Sequence, residues 1–141
     1  MFQNQTSLLS EDSLLQKIQE LALVYKGTRN YHNFTTKVQF SHESAKRFIS
    51  QINVELMTSK DFPEINHSVP YVKFTIEGHG FLYHQIRKMI GLIIQIMNDQ
   101  YAEKEIMDVF GDNKINIWLA PGAGLFLKEV QIFFILQKKN D

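Results

Sequence analysis

Arg87 stands out among the charged residues. It lies in an otherwise apolar stretch beside Lys88, and it is one of three arginines in a chain with twelve lysines. Two readings are open: an exposed helix arginine next to a surface lysine, or a partly buried guanidinium whose planar fork is aimed at a carboxylate or phosphate. His84 stands three residues before it and Gly91 four residues after, so on a helix the three share one face. His84 reads either as a satisfied structural histidine or as a catalytic group. A glycine in mid-helix costs about 1 kcal/mol against alanine, so Gly91 is expected to admit a close neighbour. The segment Lys26 to Arg47 carries Lys26, Arg29, Lys37, Lys46 and Arg47 against Glu43, a local charge of +4, with Tyr31, Phe34, Phe40 and Phe48 interleaved or adjacent. Cations tracking phosphates and rings stacking on bases suit a nucleic acid. The same composition fits a solvated face over core aromatics. In LAPGAGLFLKEV, 119–130, proline and two glycines lead into a strand pattern. That is an ordinary turn, or a backbone passing close to a ligand with Leu125 presented to it.

Other chemistries are poorly supplied. The chain has no cysteine, which excludes disulfides, thiolate zinc sites and cysteine nucleophiles. His32, His42, His67, His79 and His84 form no HExxH pattern, and no metal site is expected. There is no GxSxG elbow and no Walker loop. GHGF at 78–81 is a glycine-rich turn and only a weak phosphate loop.

The elements that must position these residues follow from the patterning. The 141 residues suffice for one domain with a core. The hydrophobic fraction of 44% and charged fraction of 21% are those of a globular chain. Formal net charge is zero, so nucleic acid could be held only by a local patch. The +4 segment is balanced by Asp99, Glu103, Glu105, Asp108 and Asp112 against Lys104, a local charge of −4. The apolar run Met89–Met97 is too short to span a membrane and reads as a core helix. Residues 1–9 read as a leader without signal-peptide character.

Leu14, Leu15, Ile18, Leu21, Ala22 and Tyr25 recur at helical spacing over 10–26, with Gly27 as the stop. Residues 27–35 are rich in turn formers. Residues 48–57 alternate with Phe48, Ile52, Val54 and Leu56 inward. Residues 69–78 alternate with Val72, Phe74 and Ile76 inward, giving an antiparallel pair across the loop 58–68. Phe81 to Asn98 is the strongest helix, striped by Leu82, Ile86, Met89, Ile90, Ile93 and Met97. An acidic helix over 102–110 ends at Gly111, and 124–135 reads as a last strand. The order α-β-β-α-α-β predicts an α+β domain: a mainly antiparallel sheet with helices packed on one face.

Three segments in order, YKGTRNYHNFT (25–35), GFLYHQIRKMIG (80–91) and APGAGLFLKEV (120–130), resemble one family. Over residues 10–136, with 137–141 as a tail, the chain resembles the C-terminal half of the catalytic domain of TruA-type tRNA pseudouridine synthases, and HQIRKMIG is closest to the eukaryotic branch. Arg29 stands where the family usually has His, and Tyr31 replaces a common Phe. The resemblance implies isomerisation of uridine to pseudouridine in tRNA without a cofactor: the glycosidic bond breaks, the base turns, and it rejoins through C5.

The family's catalytic Asp lies in an Arg-Thr-Asp segment of the N-terminal half, and no such segment occurs in these 141 residues. By resemblance, then, the chain is one part of a longer enzyme and inactive alone. Its expected partners are tRNA and that N-terminal half, with no membrane. A nuclear location is expected, with cytoplasm or mitochondrion as alternatives. Arg87 matches the arginine of the HxxR helix that pairs with the catalytic Asp. Leu125 matches the apolar residue that packs on the target base, and Phe81 and His84 are weaker site candidates. Lys26, Arg29, Lys37 and Lys88 are candidates for tRNA phosphates. The alternative is a stand-alone RNA-binding α+β module.

Overall fold

Helix α1 (Glu11–Ala22) is amphipathic, and Ile18, Leu21 and Ala22 are buried while Asp12, Ser13, Gln16, Gln19 and Glu20 stay exposed. A 3₁₀ turn, Leu23–Tyr25, continues it and buries Tyr25. The structure, a computed structural model, describes residues 11–57, 71–122 and 136–140.

Among the described residues, four strands form one sheet in the order β1-β2-β3-β4: β1 (Gly27–Asn30), β2 (Lys46–Met57), β3 (Tyr71–Gly78) and β4 (Leu136–Asn140). The first three are antiparallel, and β4 runs parallel to β3. The expected 69–78 pairing with β2 is present, with Ile52 opposite Ile76 and Val54 opposite Phe74. Residues 27–30 were expected as turn and are instead a strand, Gly27 pairing with Ile49 and Asn30 with Lys46. The physical reason is length. β2 begins two residues before its expected start and offers backbone groups that a neighbouring segment satisfies. The strand expected at 124–135 lies outside the described residues, whereas residues 137–140, expected as a tail, pair with β3.

The alternation of β2 changes phase. Ile52 and Val54 face the core, but so does Ile49, while Phe48 and Leu56, expected inward, are 38% and 37% exposed. The register shifts between Ile49 and Gln51. One extra residue, Ser50, reverses which parity points inward, as a β-bulge does. The Ser50 hydroxyl donates to the Glu77 carbonyl at 3.2 Å across the irregularity.

Helix α2 (Gln85–Met97) packs with α1 and the sheet around one core that includes Leu21, Tyr25, Ile49, Ile76, Met89, Leu92, Ile93 and Ile96. It starts four residues later than the expected Phe81. The acidic segment expected as an α-helix is a 3₁₀ helix, Glu103–Phe110, burying Ile106 and Val109 at spacing three, the period of that helix. Among the described residues, no helix is long and apolar enough to cross a membrane.

Tyr25 and Tyr31 are both fully buried. Tyr25 donates its hydroxyl to the Met89 carbonyl at 2.7 Å, and Tyr31 donates to the Tyr25 carbonyl at 3.2 Å. Burial, and then the neighbouring Tyr31, push the Tyr25 phenol well above its ordinary pKa. Burial raises Tyr31 also, against an opposing effect of Arg29. In the unfolded chain a phenol ionises near pH 10. Above that pH the unfolded state releases protons that the fold retains, so stability falls as pH rises. The urea midpoint is therefore expected to hold below about pH 9 and drop above about pH 10. Tyr25→Phe should cost about 1 kcal/mol at neutral pH through the lost hydrogen bond and flatten the alkaline decline. An unchanged alkaline slope in that variant would rule out Tyr25 as its source.

Candidate active site

The entrance to α2 is a set of tight local fits. His84 is its N-cap, in the left-handed region at φ 68° with no side-chain capping bond. This corrects the expectation that His84, Arg87 and Gly91 share one helical face, because His84 and Phe81 precede the helix. The His84 ring stacks on Tyr83 with centroids 3.7 Å apart, and Tyr83 is exposed. Gln85 supplies the capping chemistry instead: its Oε1 accepts from the Leu82 backbone N–H at 2.7 Å. Gln85 is fully buried, and its Nε2 contacts the Met89 sulfur at 3.8 Å. Sequence reading passed over Gln85. Its signal was an amide three residues after the helix-entry turn, as in a reciprocal cap.

Arg87 is half-buried one turn further on. Its Nε donates to the Ala120 carbonyl at 2.7 Å, and the Ala120 backbone N–H donates to the Arg87 carbonyl at 3.3 Å. The strap around 117–122 is thus tied twice to one helix residue. Gly122 lies against the guanidinium: a Cβ there would sit 3.4 Å from Cζ. Gly91 admits a closer neighbour still, for a Cβ on it would stand 1.9 Å from the Trp118 carbonyl oxygen. Gly91 and Gly122 are therefore both placed by the crossing of one backbone segment over α2. Among the described residues, no carboxylate forms an ion pair with Arg87. With Nε held by Ala120, the terminal nitrogens of the fork remain to meet an incoming acid.

The segment 31–35 buttresses this entrance from behind. Tyr31, His32, Asn33, Phe34 and Thr35 are all buried. Asn33 donates to the carbonyls of Val109 and Asn113 at 3.0 and 2.9 Å and accepts from the Ile115 N–H at 2.9 Å. The His32 ring contacts the Gly111 carbonyl at 2.5 Å. The Thr35 hydroxyl donates to the Tyr83 carbonyl at 2.7 Å, which links the segment to the turn before α2. In one ring cluster Tyr31 stacks on Tyr25 and Phe34 on Phe110, while Tyr25 meets Phe34, and Tyr31 meets Phe110, edge to face. For Tyr31 and Phe34 the core reading holds, while Phe40 and Phe48 are exposed.

The cations expected to meet phosphate are dispersed. Lys26 and Lys37 are exposed, Lys37 at φ 64°. Arg29 is half-buried, its Nε bonded to the Val24 carbonyl at 2.9 Å and its guanidinium 5.6 Å from the Phe110 ring centroid. It is thus committed to packing rather than standing free for a phosphate. Lys88 is half-buried, and its pKa is lowered first by burial and then by Lys114. Leu125 lies outside the described residues.

Fold and site together define a class: an α+β fold whose helix presents an arginine beneath a glycine-bearing strap. Residues 21–131 match the tRNA pseudouridine synthase family, and the chain belongs to it. Among its relatives are the pseudouridylate synthase 1 homologs of Mus musculus and Homo sapiens, 33% and 34% identical over 91% of this chain. The tRNA pseudouridine synthase 1 of Kluyveromyces lactis is 40% identical over 74% of it. The chain spans 29%, 28% and 18% of the lengths of these three relatives.

Proposed function

We propose that this chain supplies the arginine-bearing half of a tRNA pseudouridine synthase centre, acting with an N-terminal half that carries the nucleophilic Asp. The observation that carries this reading is the Arg87 geometry. A guanidinium anchored through Nε and flattened against Gly122 offers its remaining edge to a partner that these residues do not supply. Opposite charge and paired hydrogen bonds would keep that Asp ionised and oriented for attack. The target uridine leaves the RNA stack to reach it, and Leu125 is the residue proposed to pack on the base. Lys88 belongs to the same reading. It sits one residue from Arg87 with its charged form disfavoured by burial and by Lys114, and a tRNA phosphate there would relieve that repulsion.

The test is joining the chain to the part of the mouse relative that lies outside the matched segment and digesting a treated tRNA transcript for nucleoside chromatography. A pseudouridine peak that the separate chain does not produce is the expected outcome. Folded, tRNA-binding protein that leaves every uridine unchanged would favour the RNA-binding module instead.

A further inference from the structure

Two lysines come together where the 31–35 segment, α2 and the start of the strap meet. Asn33, which is buried, bonds to both neighbours of Lys114. Its Nδ2 donates to the Asn113 carbonyl at 2.9 Å, and its Oδ1 accepts from the Ile115 N–H at 2.9 Å. The same Nδ2 donates to the Val109 carbonyl at 3.0 Å, so the backbone on either side of Lys114 is fixed from the core. Lys114 itself is exposed. Lys88 approaches from α2. It lies one residue on from Arg87, about 100° round the helix. Arg87, Gly91 and Gln95 form the stripe beneath the strap, Gln95 through its Oε1, which accepts from the Trp118 N–H at 2.9 Å. Leu92, one turn beyond Lys88, is fully buried. Lys88 therefore leaves the helix at the seam between strap and core, where it is half-buried. The two ammonium groups are close enough for Lys114, after burial itself, to disfavour the charged form of Lys88. Like charges are brought together at a cost. Acids are at hand in the sequence, since Asp99, Glu103, Glu105, Asp108 and Asp112 all lie within 99–112. Yet among the described residues neither lysine forms an ion pair, and Glu103 pairs with Lys17 instead.

From this placement we infer that Lys88 and Lys114 hold one phosphate of the RNA between them, with Asn33 fixing the backbone that carries Lys114. A single anion between two ammonium groups turns their repulsion into two attractions. A phosphodiester offers one free oxygen to each, and lysine binds phosphate as a compact point charge. The inference rests on the reading of the chain as a tRNA-acting protein and deepens it: Lys114 joins Lys88, and both are assigned to the same phosphate.

The experiment is a fluorescence-anisotropy titration of the 141-residue chain with an end-labelled tRNA transcript over a range of salt. Affinity falls with salt according to the phosphates neutralised, so the slope counts phosphates rather than lysines. Lys88→Gln and Lys114→Gln are each expected to weaken binding about fivefold. The double variant should lower the slope by about one rather than about two. Lys114→Arg, which keeps the charge, should bind within about twofold of the parent. Thermal midpoints are measured alongside. Removing the Lys114 charge relieves a repulsion, so the midpoint of Lys114→Gln should equal or exceed the parent's. A lowered midpoint with an unchanged slope would make the pair structural, and a slope lowered by about two would place the lysines on separate phosphates. Either result, parent-like affinity of the double variant, or no RNA binding by the parent even at low salt would overturn the shared site. Pseudouridine formation by the joined enzyme is scored separately. Its absence with the slope effect intact would count against the enzymatic reading while supporting the site.

Discussion

Gly91→Ala is expected to destabilise the chain by about 2–3 kcal/mol and to lower its thermal midpoint by about 5–10 °C. Two opposing effects decide the sign. Alanine is the better helix former by about 1 kcal/mol. Against that, the new methyl would stand 1.9 Å from the Trp118 carbonyl oxygen and 2.9 Å from its carbon. Backbone cannot step aside by changing rotamer, so the strap must lift or the helix must shift. Overpacking of this kind costs about 1–3 kcal/mol and occasionally more. The damage should also be local. Ala120 is two residues beyond Trp118 and carries both bonds to Arg87. Its amide should exchange with deuterium faster in the variant than in the parent. A midpoint equal to or above the parent's would contradict the close approach of helix and strap.

The second large effect concerns Arg87. In the joined enzyme, Arg87→Ala is expected to lower kcat by about a hundredfold or more, since removing one member of a desolvated charge pair costs several kcal/mol. Arg87→Lys keeps the charge but loses the planar fork and the Nε bond to Ala120. It should still lose about tenfold. The KM for tRNA should move little in both variants if, as proposed, the phosphate contacts belong to other cations such as Lys88. A raised KM with unchanged kcat would reassign Arg87 to RNA binding.

Much of this was legible in the residues. Ile18, Leu21, Ala22 and Tyr25 of α1 are buried as their spacing required, and Ile52, Val54, Phe74 and Ile76 line the core from paired strands. Gly91 was readable as a close approach because nothing else explains a glycine there. The partner, a carbonyl 27 residues later, is a tertiary fact that local pattern does not contain. Phe48 was misplaced for a similar reason: a single unpaired residue inverts the parity of a strand, and Ser50 carries no mark of it. Residues 27–30 form a strand because β2 offers them an edge, not because Gly-Thr-Arg-Asn favours extension. The polar, turn-forming character of 31–35 concealed a buried network, since His32, Asn33 and Thr35 find backbone partners only once the 109–115 segment and Tyr83 are in place.

The measurement that tests the central claim most directly is tritium release from tRNA labelled at uridine C5, with tRNA binding followed in parallel. Rejoining the base through C5 displaces the hydrogen at that carbon, so turnover frees the label into water. The joined enzyme with the parent chain should release tritium, and the one with Arg87→Ala should bind tRNA comparably while releasing almost none. Equal release from both would show that Arg87 is not the group this chain contributes to catalysis.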